Sequence, residues 1–514
     1  MKKKPHILLI TTDEQHRDTL YPPAGFYELP GIQSLKECAT DYTGAYSSSP
    51  VCLPARCTFM TGLYPFHSKC ISNHMGATLP QSLPNLFTSL KQAGYHTSLH
   101  GKCHFIPVPY AAVRNDCTQE YEHFIAYYRS LGMDHLDLQD DKNNSLWYYD
   151  DFAKELEAKG ELSLYRETYH REMLPMMLPE FPLPMQDHPD AWVGQKALEW
   201  IGKQDPNTPQ FTWVSFSGPH YPMDVPQEWY SKIHMEAAPP RVFSPGEWDD
   251  RTKLHRNGYF GPGTTEGSDN APGGAQRAFS AEYWETWRKK YYANIVQIDS
   301  YVQKIIALAR KQYGENLMIL FTSDHGDMMG NHGLWGKNHS LYEDVIRIPL
   351  LVCYPGQKAP KIREQLVSSV DIFPTILQQA GCEKTLCDGE PLEAVAEEGG
   401  RKVIVSCCEN RVAVIWNGIK LCRNIYEKTG ELYTELYDLN QDPHEFQNLA
   451  QDPAYQPQLQ ALQNLLLEME KRDGVISTVF PRENKGKPFW YRPYGGEKAT
   501  ASTGNAAFVG EERI

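Results

Sequence analysis

A cysteine in segment 47–62 has neighbours that suit chemistry. Cys52 stands two residues before Pro54 and four before Arg56. Pro54 is typical of an early helix position and Gly62 of a helix end, so Cys52 is expected just before a helix N-terminus. The unpaired amides there and the charge of Arg56 favour an anion. The segment predicts a reactive group beside an anionic substrate, although an isolated cysteine is more often inert packing.

Acidic residues follow two apolar runs. Asp13 and Glu14 end the first run of the chain, and Asp324 and His325 follow another that begins at residue 317. Both runs are typical of buried parallel strands, and ligands of open α/β sheets bind beyond the carboxyl ends of such strands. Neighbouring strands would bring the four groups together as ligands of a divalent cation. Their oxygens suit Ca²⁺ first, or Mg²⁺, and His325 leaves Mn²⁺ open. Solvated loop acids are the alternative for Asp13 and Glu14 taken alone.

Basic residues follow other predicted strands. Lys102 and His104 come after one strand, and His220 follows another between two prolines that restrict its backbone. Lys337 lies in the loop beyond Asp324 and His325. A Lys-x-His pair taken alone also fits a solvated loop.

A rigid sheet must position these candidate site residues. An α/β fold is predicted, with a large, mixed, mostly parallel sheet flanked by helices over residues 1–381 and insertions at about 105–200 and 223–282. A linker at 382–400 leads to a smaller α+β subdomain of antiparallel sheet and helix at 401–474, followed by a tail at 475–514. The tail is expected to be a pocket wall or an arm onto another subunit of a homo-oligomer. The predicted strands of the large sheet cover residues 6–12, 95–100, 211–217, 317–323 and 347–352. Long helices are predicted at 283–310, with an apolar stripe, and at 457–472.

Composition narrows the classes of partner. The 514 residues are 41% hydrophobic, which is enough for a substantial core, and the net charge is −14. That charge argues against nucleic acid or an anionic membrane as a partner. The apolar run near the N-terminus is too short for a signal peptide, and the twelve cysteines show no disulfide or zinc spacing. A cytoplasmic location is therefore expected.

The motif around Cys52 resembles a known signature. Cys52-x-Pro54-x-Arg56, followed by four residues and Thr61-Gly62, is similar to the sulfatase motif in which the cysteine is oxidised to Cα-formylglycine. Five fixed positions seldom coincide by chance.

Other motifs follow in the order found in sulfatases of the alkaline phosphatase superfamily. Gly101-Lys102-x-His104 resembles one such element, and the resemblance covers nearly the whole chain apart from the insertions and the tail. Glu14 departs from the usual Asp, which makes its ligand role the least certain. The metal ligands implied by the resemblance are Asp13, Glu14, Cys52, Asp324 and His325.

The resemblance implies a sulfatase acting on aryl, steroid or carbohydrate sulfates, matured by a formylglycine-generating or anaerobic sulfatase-maturating enzyme. A hydrated formylglycine would attack sulfur, while Arg56, Lys102 and Lys337 hold the sulfuryl charge. His220 would protonate the departing alcohol, and His104 would be the base that releases sulfate.

Two other functions stay open. A phosphonate monoester or phosphodiester hydrolase shares the scaffold and the formylglycine, and Asp324-His325 is compatible with it, whereas Lys102-x-His104 favours sulfate. A non-catalytic anion-binding protein would follow if Cys52 were never oxidised.

Overall fold

The computed structural model describes residues 3–73, 78–106, 121–142, 144–146, 149–172, 177–243, 280–334, 336–337, 340–408, 411–425 and 432–473. The predicted tail at 475–514 and most of the predicted insertion at 223–282 lie outside the described residues. The expectations about them remain predictions.

An eight-stranded sheet forms the centre of the molecule, in the order β4-β3-β5-β1-β6-β7-β2-β8. Its strands are parallel except β7, which pairs antiparallel with both neighbours. This confirms the mixed, mostly parallel sheet. The strands are β1 (His6–Asp13), β2 (Thr40–Tyr46), β3 (His96–Gly101), β4 (His135–Leu138), β5 (Gln210–Pro219), β6 (Leu317–Ser323), β7 (Leu350–Cys353) and β8 (Lys361–Ser368).

Strand β1 lies near the middle because both of its faces are apolar. Leu8 and Ile10 pack in one hydrophobic cluster, and Ile7 and Leu9 pack in another on the opposite face. All eight residues of β1 are buried. A strand covered on both faces has this continuous apolar run rather than alternation.

Helices cover both faces of the sheet. The α-helices of the described residues are α1 (Pro30–Lys36), α2 (Cys52–Thr61), α3 (Pro65–Ser68), α4 (Leu86–Gln92), α5 (Tyr121–Ser130), α6 (Asp151–Ala158), α7 (Leu162–Glu172), α8 (Pro189–Lys203), α9 (Gln227–Tyr230), α10 (Ala281–Tyr313), α11 (Glu343–Ile346), α12 (Ile372–Ala380), α13 (Leu392–Glu397) and α14 (Gln456–Asp473). Helix α10 is the long helix predicted at 283–310, and Ser280 caps it by accepting a hydrogen bond from the backbone of Tyr283. Its predicted stripe, including Ile298 and Val302, packs against the sheet in the same cluster as Leu8.

A second, four-stranded antiparallel sheet follows, in the order β12-β11-β10-β9. Its strands are β9 (Val403–Cys408), β10 (Arg411–Trp416), β11 (Ile419–Ile425) and β12 (Leu432–Asp438). Helix α14 packs on this sheet through Leu459, Leu462 and Leu466, as the sequence predicts. The antiparallel sheet and helix of the smaller subdomain are thereby confirmed.

The segment at 382–400, predicted as a linker, contains helix α13. Leu392 of that helix is fully buried in the hydrophobic cluster under the large sheet. Among the described helices, none is both long and apolar enough to cross a membrane.

Candidate active site

The ends of β1 and β6 bring two carboxylates together. These strands are parallel neighbours, with Thr12 opposite Ser323, so Asp13 and Asp324 leave the sheet at the same level. The backbone N–H of Glu14 donates to Asp324 Oδ1 at 3.1 Å, which ties the two strand ends together. Both aspartates are fully buried.

Helix α2 places Cys52 above these strand ends. The helix begins at Cys52 itself, so the expectation that this residue lies just before the helix is wrong by one position. Gly62 ends the helix as predicted, with φ 68° in the left-handed region that glycine adopts without strain. Cys52 Sγ lies 3.5 Å from Asp13 Oδ1 and 3.3 Å from His325 Nε2.

Four side chains form a potential metal site. Donor atoms of Asp13, Cys52, Asp324 and His325 all lie within 4.8 Å of one another, and all four residues are buried. His325 Nδ1 lies 2.9 Å from the carbonyl oxygen of Gly326, so it carries the proton and leaves the Nε2 lone pair directed into the group. Burial and the charge of Lys337 lower the pKa of His325 to about 4, which keeps the ring neutral. This donor set fits a divalent cation.

Glu14 belongs to a second group of potential metal ligands, in which donor atoms of Asp13, Glu14 and His220 lie within 4.8 Å of one another. Its Oε2 accepts a hydrogen bond from Lys337 Nζ at 2.9 Å and lies 3.1 Å from His220 Nε2. Its other oxygen, Oε1, is buried without a hydrogen-bond partner among the described residues. The carboxylate of Glu14 therefore contacts the two basic groups across the site.

Arg56 connects three elements at the floor of the site. Its side chain is fully buried, and its Nε donates to Asp324 Oδ2 at 2.8 Å. Its Nη1 donates to Ser215 Oγ at 2.8 Å and to the carbonyl oxygen of Lys102 at 3.1 Å. The guanidinium is thereby held in one orientation by planar, directional bonds.

Lys102 lies between two buried carboxylates. Its Nζ contacts Asp13 Oδ2 and lies 2.5 Å from Asp141 Oδ2. Burial alone would raise the pKa of Asp13, but the charges of Lys102 and Arg56 hold it well below its usual range. The carboxylate is therefore ionised and ready to bind a cation.

The ring of His104 is buried without a partner. Neither ring nitrogen has a hydrogen-bond partner among the described residues, and the backbone has an unusual φ of 49°. Asp140 Oδ1 fixes this backbone by accepting hydrogen bonds from the N–H groups of Cys103 and His104 at 2.9 and 2.8 Å. Burial and the charge of Lys102 hold the pKa of His104 well below its usual range, so the ring is neutral.

His220 and Lys337 form a pair on the opposite side. His220 Nδ1 lies 2.6 Å from the carbonyl oxygen of Tyr221, so this nitrogen carries the proton. Its Nε2 accepts a hydrogen bond from Lys337 Nζ at 2.7 Å. Burial and the charge of Lys337 lower the pKa of His220. The ammonium of Lys337 is therefore the group of this pair that holds an extra proton.

The environment of the Cys52 thiol differs from the sequence-based expectation. Burial and the charge of Asp13 raise its pKa to about 12, more than the charges of Lys102 and Lys337 lower it. The helix N-terminus and Arg56 predicted a more reactive sulfur. A fully buried thiol beside a carboxylate instead stays protonated at neutral pH.

All ten predicted site residues meet at this one edge of the sheet, but three supporting residues were missed. They are Asp140 and Asp141, which hold the Lys102 loop, and Ser215, which holds Arg56. Asp140 and Asp141 follow the end of β4 closely, as Asp13 ends β1, so the same pattern of acids after a strand was available. Ser215 lies inside β5, and no local pattern separates it from an ordinary strand residue.

Comparison with known proteins identifies the family of this chain and solved structures that share its fold. The Sulfatase family model matches residues 5–382. Choline-sulfatase of Rhizobium meliloti (strain 1021) is 26% identical over 466 residues, which covers 88% of this chain and 83% of that protein.

Two solved structures share the fold. The phosphonate monoester hydrolase of Agrobacterium radiobacter superposes with a TM-score of 0.74 at 22% identity, over 91% of this chain and 96% of that one. A protein solved in complex with its substrate D-glucosamine-2-N,6-O-disulfate superposes with a TM-score of 0.66 at 18% identity, over 94% of this chain and 100% of that one.

Proposed function

The chain belongs to the sulfatase family of sulfuric ester hydrolases, and from this premise we propose that it hydrolyses the sulfate ester of a small alcohol through a formylglycine made from Cys52. The position of Cys52 carries the proposal. The residue begins α2 within 3.5 Å of Asp13 and His325, and the charges of Lys102 and Lys337 act on it. An aryl, steroid or carbohydrate alcohol would carry the sulfate.

Four positions would hold the metal ion of such an enzyme. Asp13, Asp324, His325 and an oxygen of the formylglycine at position 52 supply mostly hard donors, which favours Ca²⁺, with Mg²⁺ and Mn²⁺ as alternatives. When bound, the cation supplies positive charge that makes a hydroxyl easier to deprotonate. Glu14, which contacts Lys337 and His220 instead, would hold these two groups in place.

Three cations would hold the sulfuryl group. Arg56, Lys102 and Lys337 are buried, so their charges act with little screening by solvent. Arg56 and Lys102 are also fixed by hydrogen bonds to carboxylates before any substrate enters. Such a preorganised arrangement stabilises the charge on the sulfuryl oxygens as the ester bond breaks.

Two histidines would move the protons. His104 is neutral and unpartnered, so it can take the proton of the second hydroxyl of the formylglycine hydrate when sulfate leaves. His220 would pass to the departing alkoxide, from its Nε2, a proton that it takes from the Lys337 ammonium, which donates to that nitrogen. The alcohol would then leave as a neutral molecule.

The test is turnover of an aryl sulfate, an aryl phosphonate monoester and an aryl phosphodiester by protein co-expressed with a formylglycine-generating enzyme. We expect a strong preference for the sulfate, formylglycine at position 52 by mass spectrometry, and no turnover by Cys52→Ala. A preference for the phosphorus esters would establish the alternative hydrolase, which the fold shared with a phosphonate monoester hydrolase favours. Intact thiol at position 52 with tight binding of sulfate esters would instead establish an anion-binding protein.

A second test concerns the proton given to the alcohol. His220→Ala is expected to slow the turnover of aryl sulfates with poor leaving groups by about 10²- to 10³-fold. The turnover of aryl sulfates whose leaving groups are activated phenols should fall much less. The slope of log kcat against the pKa of the leaving phenol measures this difference. Equal losses across the series would show that His220 does not protonate the leaving group.

A further inference from the structure

Two histidines and an aspartate form a compact cluster on β3 and β4, separate from the active site. His100 Nδ1 lies 2.7 Å from Asp137 Oδ2, and His135 Nε2 lies 2.9 Å from the same oxygen. One donor atom from each residue lies within 4.8 Å of the other two. From this geometry we propose that His100, His135 and Asp137 bind a zinc ion that joins the two strands.

Strand pairing fixes the three side chains on one face of the sheet. His100 is directly opposite Asp137 in the parallel pairing of β3 with β4, and His135 lies two residues before Asp137. Residues two apart on a strand point to the same face. The ligands are therefore preorganised by the backbone, without any loop that must order on binding.

The donor set suits zinc. Imidazole nitrogens with one carboxylate oxygen are common zinc ligands, and bonds of about 2.0–2.1 Å in tetrahedral geometry place neighbouring ligand atoms about 3.3 Å apart. The observed separations of 2.7 and 2.9 Å need only a small opening of the cluster. Three protein ligands leave the fourth position for water.

Burial and packing hold the two imidazole rings in orientations that suit metal binding. The His100 side chain is fully buried, and its Nδ1 is directed at Asp137 Oδ2. Trp200 of α8 stacks on the ring of His135, with ring centroids 4.0 Å apart and planes at 14°, which fixes the orientation of this ligand. The side chains of His135 and Asp137 are 34% and 20% exposed, which gives an ion a path from solvent.

The position of the cluster suggests what the ion would do. Strand β4 has only four residues and lies at the edge of the sheet. Three residues after Asp137 comes Asp140, which fixes the backbone of His104, and two residues after His100 comes Lys102. The ion would hold together the two strands whose ends carry this side of the active site, as a structural metal.

The decisive experiment locates zinc in crystals of the full chain soaked with Zn²⁺. Diffraction data collected on both sides of the zinc absorption edge should show an anomalous peak bonded to His100, His135 and Asp137. Absence of a peak there, at a zinc concentration that fills the site containing Asp324, would overturn the proposal.

Equilibrium dialysis against Zn²⁺ tests the same site in solution. His135→Gln is expected to bind one ion fewer per chain than the wild type, and because His135 is partly exposed this variant should fold. His96→Gln is the matched control, since His96 also lies near Trp200, on the same strand as His100, but outside the cluster. Equal zinc content in all three proteins would overturn the proposal.

Asp324→Ala separates this inference from the proposed function. It should lose the ion of the active site and keep the one bound by His135. Zinc bound to the cluster should raise the Tm of the protein. This rise should persist in Asp324→Ala and disappear when His135→Gln is added. Persistence of that rise in the double variant would count against the cluster.

Discussion

Two buried lysines occupy similar surroundings in different parts of the molecule. Lys420 of β11 has a fully buried side chain, and its Nζ lies 3.2 Å from Glu343 and 2.5 Å from Glu445. Lys102 is equally buried and also contacts two carboxylates. Burial and charge alone therefore do not distinguish a catalytic lysine from a structural one.

The groups around each lysine make the difference. Lys420 joins the small sheet to the start of α11, where the backbone N–H of Glu343 also donates to Glu445 Oε2 at 2.7 Å. Lys102 instead lies near the unpartnered ring of His104 and acts electrostatically on Cys52. Unpartnered polar atoms beside a buried charge indicate a site for a ligand, because such atoms are costly unless something binds them.

The largest expected effect distinguishes Cys52 from Cys57, two cysteines of helix α2. Cys52→Ala should lower kcat by at least about 10⁴-fold, because it removes the residue from which the proposed nucleophile is made. Its Tm should stay close to that of the wild type, since the change removes one atom. Cys57→Ala, in the apolar core five residues later, should keep the activity and lose about 1 kcal/mol of stability. Activity assays and thermal unfolding check both, and a Cys52→Ala variant that keeps its activity would contradict the proposal that position 52 carries the nucleophile.

The second effect concerns Lys102, the lysine with a proposed catalytic role. Lys102→Met should lower kcat by about 10²- to 10³-fold, because it removes a fixed charge that would act on the sulfuryl group. It also leaves Asp13 and Asp141 without their shared cation, so the protein without metal should lose stability. A divalent cation bound to Asp13 should recover part of that loss. Thermal unfolding with and without Ca²⁺ or Mn²⁺ measures this recovery, and its absence would show that Asp13 is not a metal ligand.

Much of this site could be predicted from local sequence. Asp13 and Asp324 follow continuous apolar runs, and such runs identify parallel strands whose ends meet at one edge. Cys52 and Arg56 lie within one helical turn, where local rules apply. The contact of Glu14 with Lys337, by contrast, joins residues 323 positions apart. Nothing in either local segment predicts that pairing.

Two of the three strands missed in the large sheet, β8 and β4, have a common physical reason. Strand β8, Lys361–Ser368, is largely polar and partly exposed at the edge of the sheet, so it has no apolar run. Strand β4 has only four residues and lies within a region read as an insertion. Edge strands bury less surface and so leave a weaker pattern in the sequence. The Lys420 cluster was missed for another reason, because its carboxylates come from separate segments of the chain.

The third effect tests the structural lysine. Lys420→Met should destabilise the protein by about 3 kcal/mol, since it leaves the Glu343 and Glu445 carboxylates buried without their cation. The folded fraction should keep its kcat, and added metal should not restore stability. Denaturant unfolding together with activity per folded molecule checks this. A large loss of kcat at unchanged stability would erase the distinction between the two lysines.

The smallest effect is a pH dependence within the Lys420 cluster. Burial raises the pKa of Glu445 from its usual 4.5 to about 7, although Lys420 acts in the opposite direction. A carboxyl group whose pKa is raised by folding contributes stability that is fully present below pH 4.5 and is lost as the pH rises through 7. Glu445→Gln cannot ionise, so its free energy of unfolding should fall less than that of the wild type between pH 5 and pH 8, by on the order of 2 kcal/mol. Parallel pH profiles for the two proteins would show that Glu445 is already ionised in the folded state, and that Lys420, like Lys102, is neutralised by charged carboxylates on both sides.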